Sequence, residues 1–593
     1  MASSSAGVHF EKSYLATVGI DFGTTYSGFA FSFNKEQGDD SIFMNRDWVN
    51  EQGHRTSKTP TCLLLKPDQS FDSFGYKAVE KYANLRSVYE EKEFLFFQHF
   101  KMSLHNEENI DLRAVLYDVN GKRAEAKTVF AHSIRFLMDE AVNFIRLETR
   151  DDGFKADDIQ WVLTVPAIWT PGAKQFMREA AYEAGFVSRD RPGQLVIALE
   201  PEAAAIFCTE RKMGAIQSLE RLSVSVDGLL SQLNAQYMVV DIGGGTLDVT
   251  VHEKQDDGSI KEIHKVTGGP YGGMKVNHQF EGLLDELFSA EKLYEYRKLF
   301  PSDWLRLIGD FEDKKRGPRA LENKETRIRL PQSFNSSVPE ILLHSMKRYG
   351  EEVKIIKNEY LCLSPRVMKK QFEPVLEAMK DHLAVLLSKP ELSRVKVMLL
   401  VGGFAESSLL QQEIKNEFAD RCRVIVPRDA AKAVVQGAVM FGKMPNKITE
   451  RVVATTYGCA CSRDFIEGVH PNEKKFVADG IEKCRDLFSC FVKENEVVKV
   501  GQRIRQVFHP VYANDTEIKF GFYTSLTTNP QFVTDPGLTK IGSLKVQSPD
   551  TQRGRDREIE ASLYFGGTEI TVTALDVTSG NVEQTTLDFF CNL

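Results

Sequence analysis

The stretch Val239-Val240-Asp241-Ile242-Gly243-Gly244-Gly245-Thr246-Leu247-Asp248-Val249-Thr250-Val251 decides how the chain is read. Two apolar runs flank an Asp-x-Gly-Gly-Gly-Thr turn, which predicts a buried strand, a tight turn of small residues and a returning strand. Consecutive glycines let the backbone approach a ligand closely and turn its N–H groups towards phosphate oxygens. An Asp at the strand end suits a hydrated Mg2+, and the Thr246 hydroxyl suits phosphate. A run of glycines also serves a plain hairpin, so its meaning depends on the rest of the chain.

The same device comes earlier, in Val18-Gly19-Ile20-Asp21-Phe22-Gly23-Thr24-Thr25-Tyr26-Ser27-Gly28-Phe29-Ala30. Again a short apolar strand delivers an Asp, then Gly and Thr, then a second strand. Two copies predict two related lobes, each presenting a phosphate-binding hairpin to one cleft.

Between and beyond the hairpins lie further candidates. Phe94-Leu95-Phe96-Phe97-Gln98-His99-Phe100-Lys101-Met102 ends an aromatic run on a lysine. Such a side chain rests its stem on the core and extends its ammonium, either into a cleft or to the surface. Apolar spacing over 128–148 predicts an amphipathic helix, and Trp161 to Val165 a strand closed by Pro166. Pro171 to Gly185 reads as a helix with a small-residue face. An apolar strand from Gln194 to Leu199 then runs into Glu200-Pro201-Glu202-Ala203-Ala204-Ala205-Ile206, where Glu200 is a cleft acid or a solvated loop acid. Residues 211–236 read as an inserted excursion.

Thr267-Gly268-Gly269-Pro270-Tyr271-Gly272-Gly273 reads as another backbone-exposing loop, followed by helical patterns to about residue 320. Glu312-Asp313-Lys314-Lys315-Arg316 within them is, by default, a solvated charged face. Val397 to Val401 predicts a buried strand opening onto Gly402-Gly403-Phe404 and a helix, a setting that suits the polar edge of a nucleotide. A small-residue helix at Ala433 to Ala438 closes the second lobe. From about residue 450, strand-like runs separated by Asn, Asp, Gly and Pro predict an all-β module.

Bulk properties set limits. A chain of 593 residues divides into several domains, and 42% hydrophobic with 27% charged residues is ordinary for a globular protein. The net charge of -8 offers no electrostatic case for nucleic acid or an anionic membrane. Nine cysteines, odd in number and scattered, read as free thiols of a reducing compartment. Cys459 and Cys461, like Cys484 and Cys490, lack zinc-knuckle spacing. The first residues show no signal peptide and no apolar run has the length of a membrane span, so a cytoplasmic protein is expected.

Taken in order, these stretches resemble the actin-like ATPase superfamily and, within it, the 70-kilodalton heat-shock chaperone family. Gly19 to Ser27 and Asp241 to Asp248 look like its two phosphate signatures. Thr164 to Ala167, Glu200 to Ile206 and Leu400 to Gly403 are similar to its connecting and adenosine stretches. The resemblance covers roughly residues 15–445. The aromatic run before Lys101 and the long insertion look like the family's divergent heat shock 70 kDa protein 12 branch.

The resemblance implies a two-lobed α/β actin-like ATPase fold of duplicated ribonuclease H-like domains, followed by a β-sandwich-like module without a helical lid. On this division residues 1–14 are a tail, and 15–445 the nucleotide-binding domain (lobes about 15–236 and 237–420, closing helix to 445). A polar linker at 446–452 then leads to a partner-binding module at 453–593. It implies ATP or ADP with Mg2+ as ligands. Asp21 and Asp241 match acids that hold Mg2+ through water, while Gly23, Thr24, Thr25, Tyr26, Gly243, Gly244, Gly245 and Thr246 match the phosphate cradle. Lys101 matches the lysine beside the γ-phosphate, and Glu200 or Asp241 the acid that orients the attacking water. Gly272, Gly273, Glu312, Lys315, Arg316, Gly402 and Gly403 fall at nucleotide-contacting positions. Phe404 stands where the family has a small polar residue, and the family's next Arg is absent, which implies altered adenine packing.

The function so implied is an ATP-binding, slowly hydrolysing, chaperone-like protein whose β-module takes protein clients or signalling partners. A nucleotide-stabilised, non-enzymatic adaptor is the alternative; a sugar-kinase relative shares both hairpins but does not predict residues 450–593. Asn446 to Arg451 is polar where the family's linker is apolar, so weak coupling between nucleotide and partner binding is expected.

Overall fold

The computed structural model describes residues 14–586 except 35–40, 46–47, 50–52, 54, 86–92, 107–111, 211–233, 318–323, 338–347, 528 and 566–568. The excursion read at 211–236 thus lies almost wholly outside the described residues.

In the first lobe, strand Ala16–Phe22 is buried along its whole length, as expected of a strand covered on both faces. It pairs antiparallel with Tyr26–Phe33 and parallel with Ile159–Val165, which in turn pairs parallel with Leu195–Leu199. The second lobe repeats this plan. Strand Gln236–Ile242 pairs antiparallel with Leu247–Lys254 and parallel with Val397–Val401, which pairs parallel with Arg423–Ile425. Even the register matches, since Asp21 stands opposite Gly28 and Asp241 opposite Asp248. Shared pairing, order and register make the lobes copies of one unit.

Helices Ala126–Thr149 and Pro171–Ala184 share a core with the first sheet. The second of these is bounded as its residues dictate: the Thr170 hydroxyl accepts from Ala173 N at 3.2 Å, and Gly185 takes the left-handed backbone at φ 87°. Two other helices, Glu200–Glu210 and Ala433–Lys443, pack against strands of both lobes. They cross so tightly that a Cβ on Gly437 would strike the Ala203 carbonyl. The lobes therefore meet at a pivot of small side chains.

The stretch expected as a polar linker is instead strand Ile448–Val452. It pairs parallel with Ile260–Gly269 and antiparallel with Val497–Lys499, which carries the second lobe's sheet into the following module. Strand addition satisfies backbone groups whatever the side chains, Ile448 is buried, and Arg451 finds a carboxylate. The reasoning from polarity to a free linker fails on those three counts.

Beyond it, a five-stranded and a four-stranded antiparallel sheet share one core that includes Tyr457, Phe491, Phe522, Val546, Leu563 and Val572. Of the strand-like runs expected here, Leu487 to Val492, Glu517 to Tyr523, Ile541 to Val546 and Ile559 to Tyr564 lie within Ile481–Val492, Glu517–Ser525, Leu538–Gln547 and Ile559–Phe565, while Glu569 to Leu575 begins two residues before Thr571–Asp576. Thr456–Asp464 and Gln502–Phe508 were not anticipated. Among the described residues no helix is long and apolar enough to cross a membrane.

Candidate active site

The two hairpin turns face one another across a cavity of about 800 Å3 between the lobes. Asp21, Gly23, Thr24, Thr25 and Tyr26 line it from one side, Asp241, Gly243, Gly244, Gly245 and Thr246 from the other. The turns touch directly: a Cβ on Gly244 would run into the Thr25 side chain, and one on Gly245 into Thr24 and Met102. Glycine here serves close approach.

Lys101 reaches this cavity from the short helical turn Phe100–Met102, which His99 opens in the left-handed conformation at φ 55°. Its side chain is 2% exposed, with Nζ 2.7 Å from Glu200 Oε1 and 5.1 Å from the Trp169 ring centroid. Glu200 opens its helix at the end of strand Leu195–Leu199. Burial raises its carboxyl to about 7 against the pull of Lys101, with Asp21 and Asp248 adding to the rise. Asp241 is also raised well above the usual range, by burial first and then by Glu200, Asp248 and Asp21. Asp248 bridges the lobes, accepting from Ile168 N at 3.0 Å.

At the other end of the cavity, Arg316 lies 4.1 Å over the Tyr26 ring and donates from Nε to Glu312 Oε1 at 3.0 Å. Burial would raise the Glu312 carboxyl, but Lys315 and Arg316 more than offset it and hold it well below the usual range. The three donors of the Lys315 ammonium are directed at Gly273 O (2.9 Å), Asn277 Oδ1 (2.9 Å) and Glu312 Oε2 (2.5 Å). Lys315 lines the cavity yet acts there as an anchor for Glu312. Phe404 turns its ring against Phe372, 6.1 Å between centroids, and sits 5.7 Å from Lys315 Nζ. Gly402 needs its residue type, because at φ 92° a Cβ would collide with Asp241 Oδ1.

Gly272 departs from the expectation of a ligand contact, for it is not on the cavity wall. Gly272 N donates to Gly245 O, Gly273 N to Gly243 O and Met274 N to Gly244 O, at 3.1, 3.1 and 2.8 Å. This segment spends its N–H groups on the carbonyls of the triple-glycine turn and so holds that turn from behind. Gly273 does line the cavity, as does Gly403.

Sequence reasoning passed over four side chains that the fold brings to the site. Lys58 lies 2.5 Å from Asp21 Oδ2. Trp169 and Asp248 back Lys101 and the second turn. Glu202, 1% exposed and two residues beyond Glu200, takes a bidentate ion pair from the linker's Arg451 at 2.7 Å on both oxygens. Only Asp248 carried a local signal, as the partner of Asp241 in a symmetric hairpin.

Two buried polar atoms on the cavity wall, Ser407 Oγ and Gln436 Oε1, have no hydrogen-bond partner among the described residues, as expected of a wall that awaits a ligand. Beside the two turns, the carboxylates of Asp21, Glu200, Asp241 and Asp248 outnumber the ammonium groups of Lys58 and Lys101, which fits a divalent cation. No group of three or more His, Cys, Asp or Glu among the described residues forms a cage for a metal on its own. The donor set fits a cation that arrives with phosphate and water.

Duplicated lobes with paired phosphate-type turns at their junction define the actin-like two-lobed class. The family model described as Hsp70 protein matches residues 17–474. Heat shock 70 kDa protein 12A of Mus musculus is 36% identical, over 98% of this chain and 92% of its own length. Heat shock 70 kDa protein 12B of Homo sapiens is likewise 36% identical over 98% and 92%. The chaperone protein DnaK of Psychrobacter cryohalolentis is 25% identical over 58% of this chain and 46% of its own. The chain belongs to the Hsp70 protein family, and its similarity within that family is to the heat shock 70 kDa protein 12 branch.

Proposed function

We propose that this chain binds ATP and ADP with Mg2+ in the interlobe cleft, hydrolyses ATP slowly, and works as a chaperone-like protein whose C-terminal sheets receive protein partners. One observation carries the reading: two hairpin turns of matched register converge, with the Lys101–Glu200 ion pair, on a single cavity.

Hydrolysis in such a site is in-line attack of water on the γ-phosphate, and it depends on position and charge rather than on a strong base. Thr24, Thr25 and Thr246 offer hydroxyls to the phosphates. Lys101, fixed by Glu200 and Trp169, holds positive charge where the transferred group gains negative charge. A Glu200 carboxyl poised near 7 is suited to orient and deprotonate water at neutral pH; Asp241 is the other candidate. Bound Mg2+, held through water by Asp21 and Asp241, would neutralise phosphate charge.

The docked linker supports stronger coupling than its polarity alone leads one to expect. Glu202 shares a helical turn with Glu200 and is held by Arg451 of the linker strand, while Arg178 ties the first lobe to Glu569 of the module at 2.6 and 2.5 Å. A nucleotide that shifts Glu200 therefore acts on the element that carries the module. Lys101→Ala tests the catalytic part. It spares ATP binding and lowers single-turnover hydrolysis about a hundredfold or more, the scale seen when a charge that stabilises the transition state is removed; unchanged turnover would remove Lys101 from the chemistry.

A further inference from the structure

Among the described residues, Lys58 is the one lysine at the phosphate end that no expectation assigned. The turn that bears it lies between the short strands Arg55–Thr56 and Thr59–Pro60, and the latter pairs with Tyr26 and Ser27 at the start of the strand that leaves the first phosphate turn. The Thr56 hydroxyl donates to Lys58 O at 2.9 Å and fixes the turn. The lysine stem then crosses Gly28, where an added Cβ would meet Lys58 Cγ at 2.9 Å. Gly28 is the residue opposite Asp21 in the hairpin. The missing side chain at Gly28 is thus the track along which Lys58 reaches Asp21, and its ammonium ends 2.5 Å from Asp21 Oδ2 with the side chain 17% exposed. Both residues line the cavity that holds Lys101.

Resting on the nucleotide reading of that cavity, we propose that Lys58 is a second phosphate-binding lysine, held on Asp21 when the site is empty and contacting the terminal phosphates of a bound nucleoside triphosphate. An ammonium has three donors, and Asp21 occupies one direction only. Triphosphate oxygens brought beside Asp21 by Mg2+ meet an ammonium already partly buried and oriented, at little further ordering cost. Lys58 then holds the bound phosphates, while Lys101, on a separate chain segment of the first lobe, acts on the group being transferred.

Equilibrium titration with Mg·ATP, Mg·ADP and adenosine tests this on full-length protein, for wild type, Lys58→Met and Lys58→Arg, with thermal unfolding as the control for folding. Lys58→Met removes a charge-assisted hydrogen bond to the terminal phosphates and weakens Mg·ATP binding about tenfold or more. Mg·ADP weakens less, adenosine is unaffected, and Lys58→Arg recovers most of the affinity. Equal weakening of all three ligands, or an unchanged ATP-to-adenosine ratio, overturns the proposal and leaves Lys58 a counter-ion of Asp21. Wild-type protein that binds none of the three overturns the nucleotide reading itself, and this proposal with it.

Discussion

The two glycine-turn hairpins share their pairing and register, yet differ in what stands beside the aspartate. In the first, Asp21 faces Gly28, and across that glycine comes the Lys58 ammonium. In the second, Asp241 faces Asp248 and has Glu200 close by, and burial first, then these crowding acids, drive its carboxyl up. One duplicated unit has produced a compensated carboxylate and an uncompensated one. The same contrast recurs at the linker, where Glu202 is paired with Arg451 while Glu262, buried beside it, leaves Oε1 without a hydrogen-bond partner among the described residues.

Breaking the compensated pair at the linker has the largest expected effect. Arg451→Met leaves Glu202 buried and alone, and costs about 3 kcal/mol in the stability of the unit that holds it; denaturant titration reads this, and a loss below about 1 kcal/mol would mean that water reaches Glu202. Within the hairpins, one substitution at matched positions has opposite signs in the empty protein. Asp21→Asn strands Lys58 and destabilises by about 2 kcal/mol, whereas Asp241→Asn removes a crowded charge and stabilises by about 1 kcal/mol. Thermal unfolding without nucleotide compares them, and shifts of the same sign would erase the contrast.

The last effect is a slope with pH. Burial, with Glu202 adding to it, raises the Glu262 carboxyl to about 8, against an unfolded value of about 4.3. The folded chain therefore keeps a proton that the unfolded chain releases, so stability falls as pH rises between those values and levels off above the upper one. Glu262→Gln makes this decline shallower, and an unaltered decline would place its origin in other groups.

How much of this was legible follows from how far apart the partners lie in the chain. The hairpins could be read locally, because apolar runs, an Asp, glycines and a threonine sit side by side in Val18 to Ala30 and Val239 to Val251. The Lys101–Glu200 pair joins distant residues and was reached through resemblance. Lys58 could not be found in either way: its route to Asp21 exists only once Thr59–Pro60 pairs with Tyr26 and Ser27, and Gly28 shows its purpose only in that pairing. The linker is not legible from polarity, because strand addition asks for backbone partners and leaves side chains free to be polar. Thr456–Asp464 and Gln502–Phe508 escaped notice because small, sulfur-bearing and polar side chains hide their alternation. Gly272 looked like a ligand contact because a glycine that buttresses a loop and one that faces a ligand look alike in sequence.

Single-turnover hydrolysis of Mg·ATP, run beside an equilibrium binding titration on wild type and Asp241→Asn, tests the central claim most directly. The account predicts that wild type binds and slowly hydrolyses, and that the variant still binds nucleotide but loses turnover about a hundredfold or more, as expected when the organised charge at the reacting phosphate is removed. Binding with no turnover in wild type would contradict it and leave the cleft to a nucleotide-stabilised adaptor, and equal turnover in both proteins would contradict the part given to Asp241.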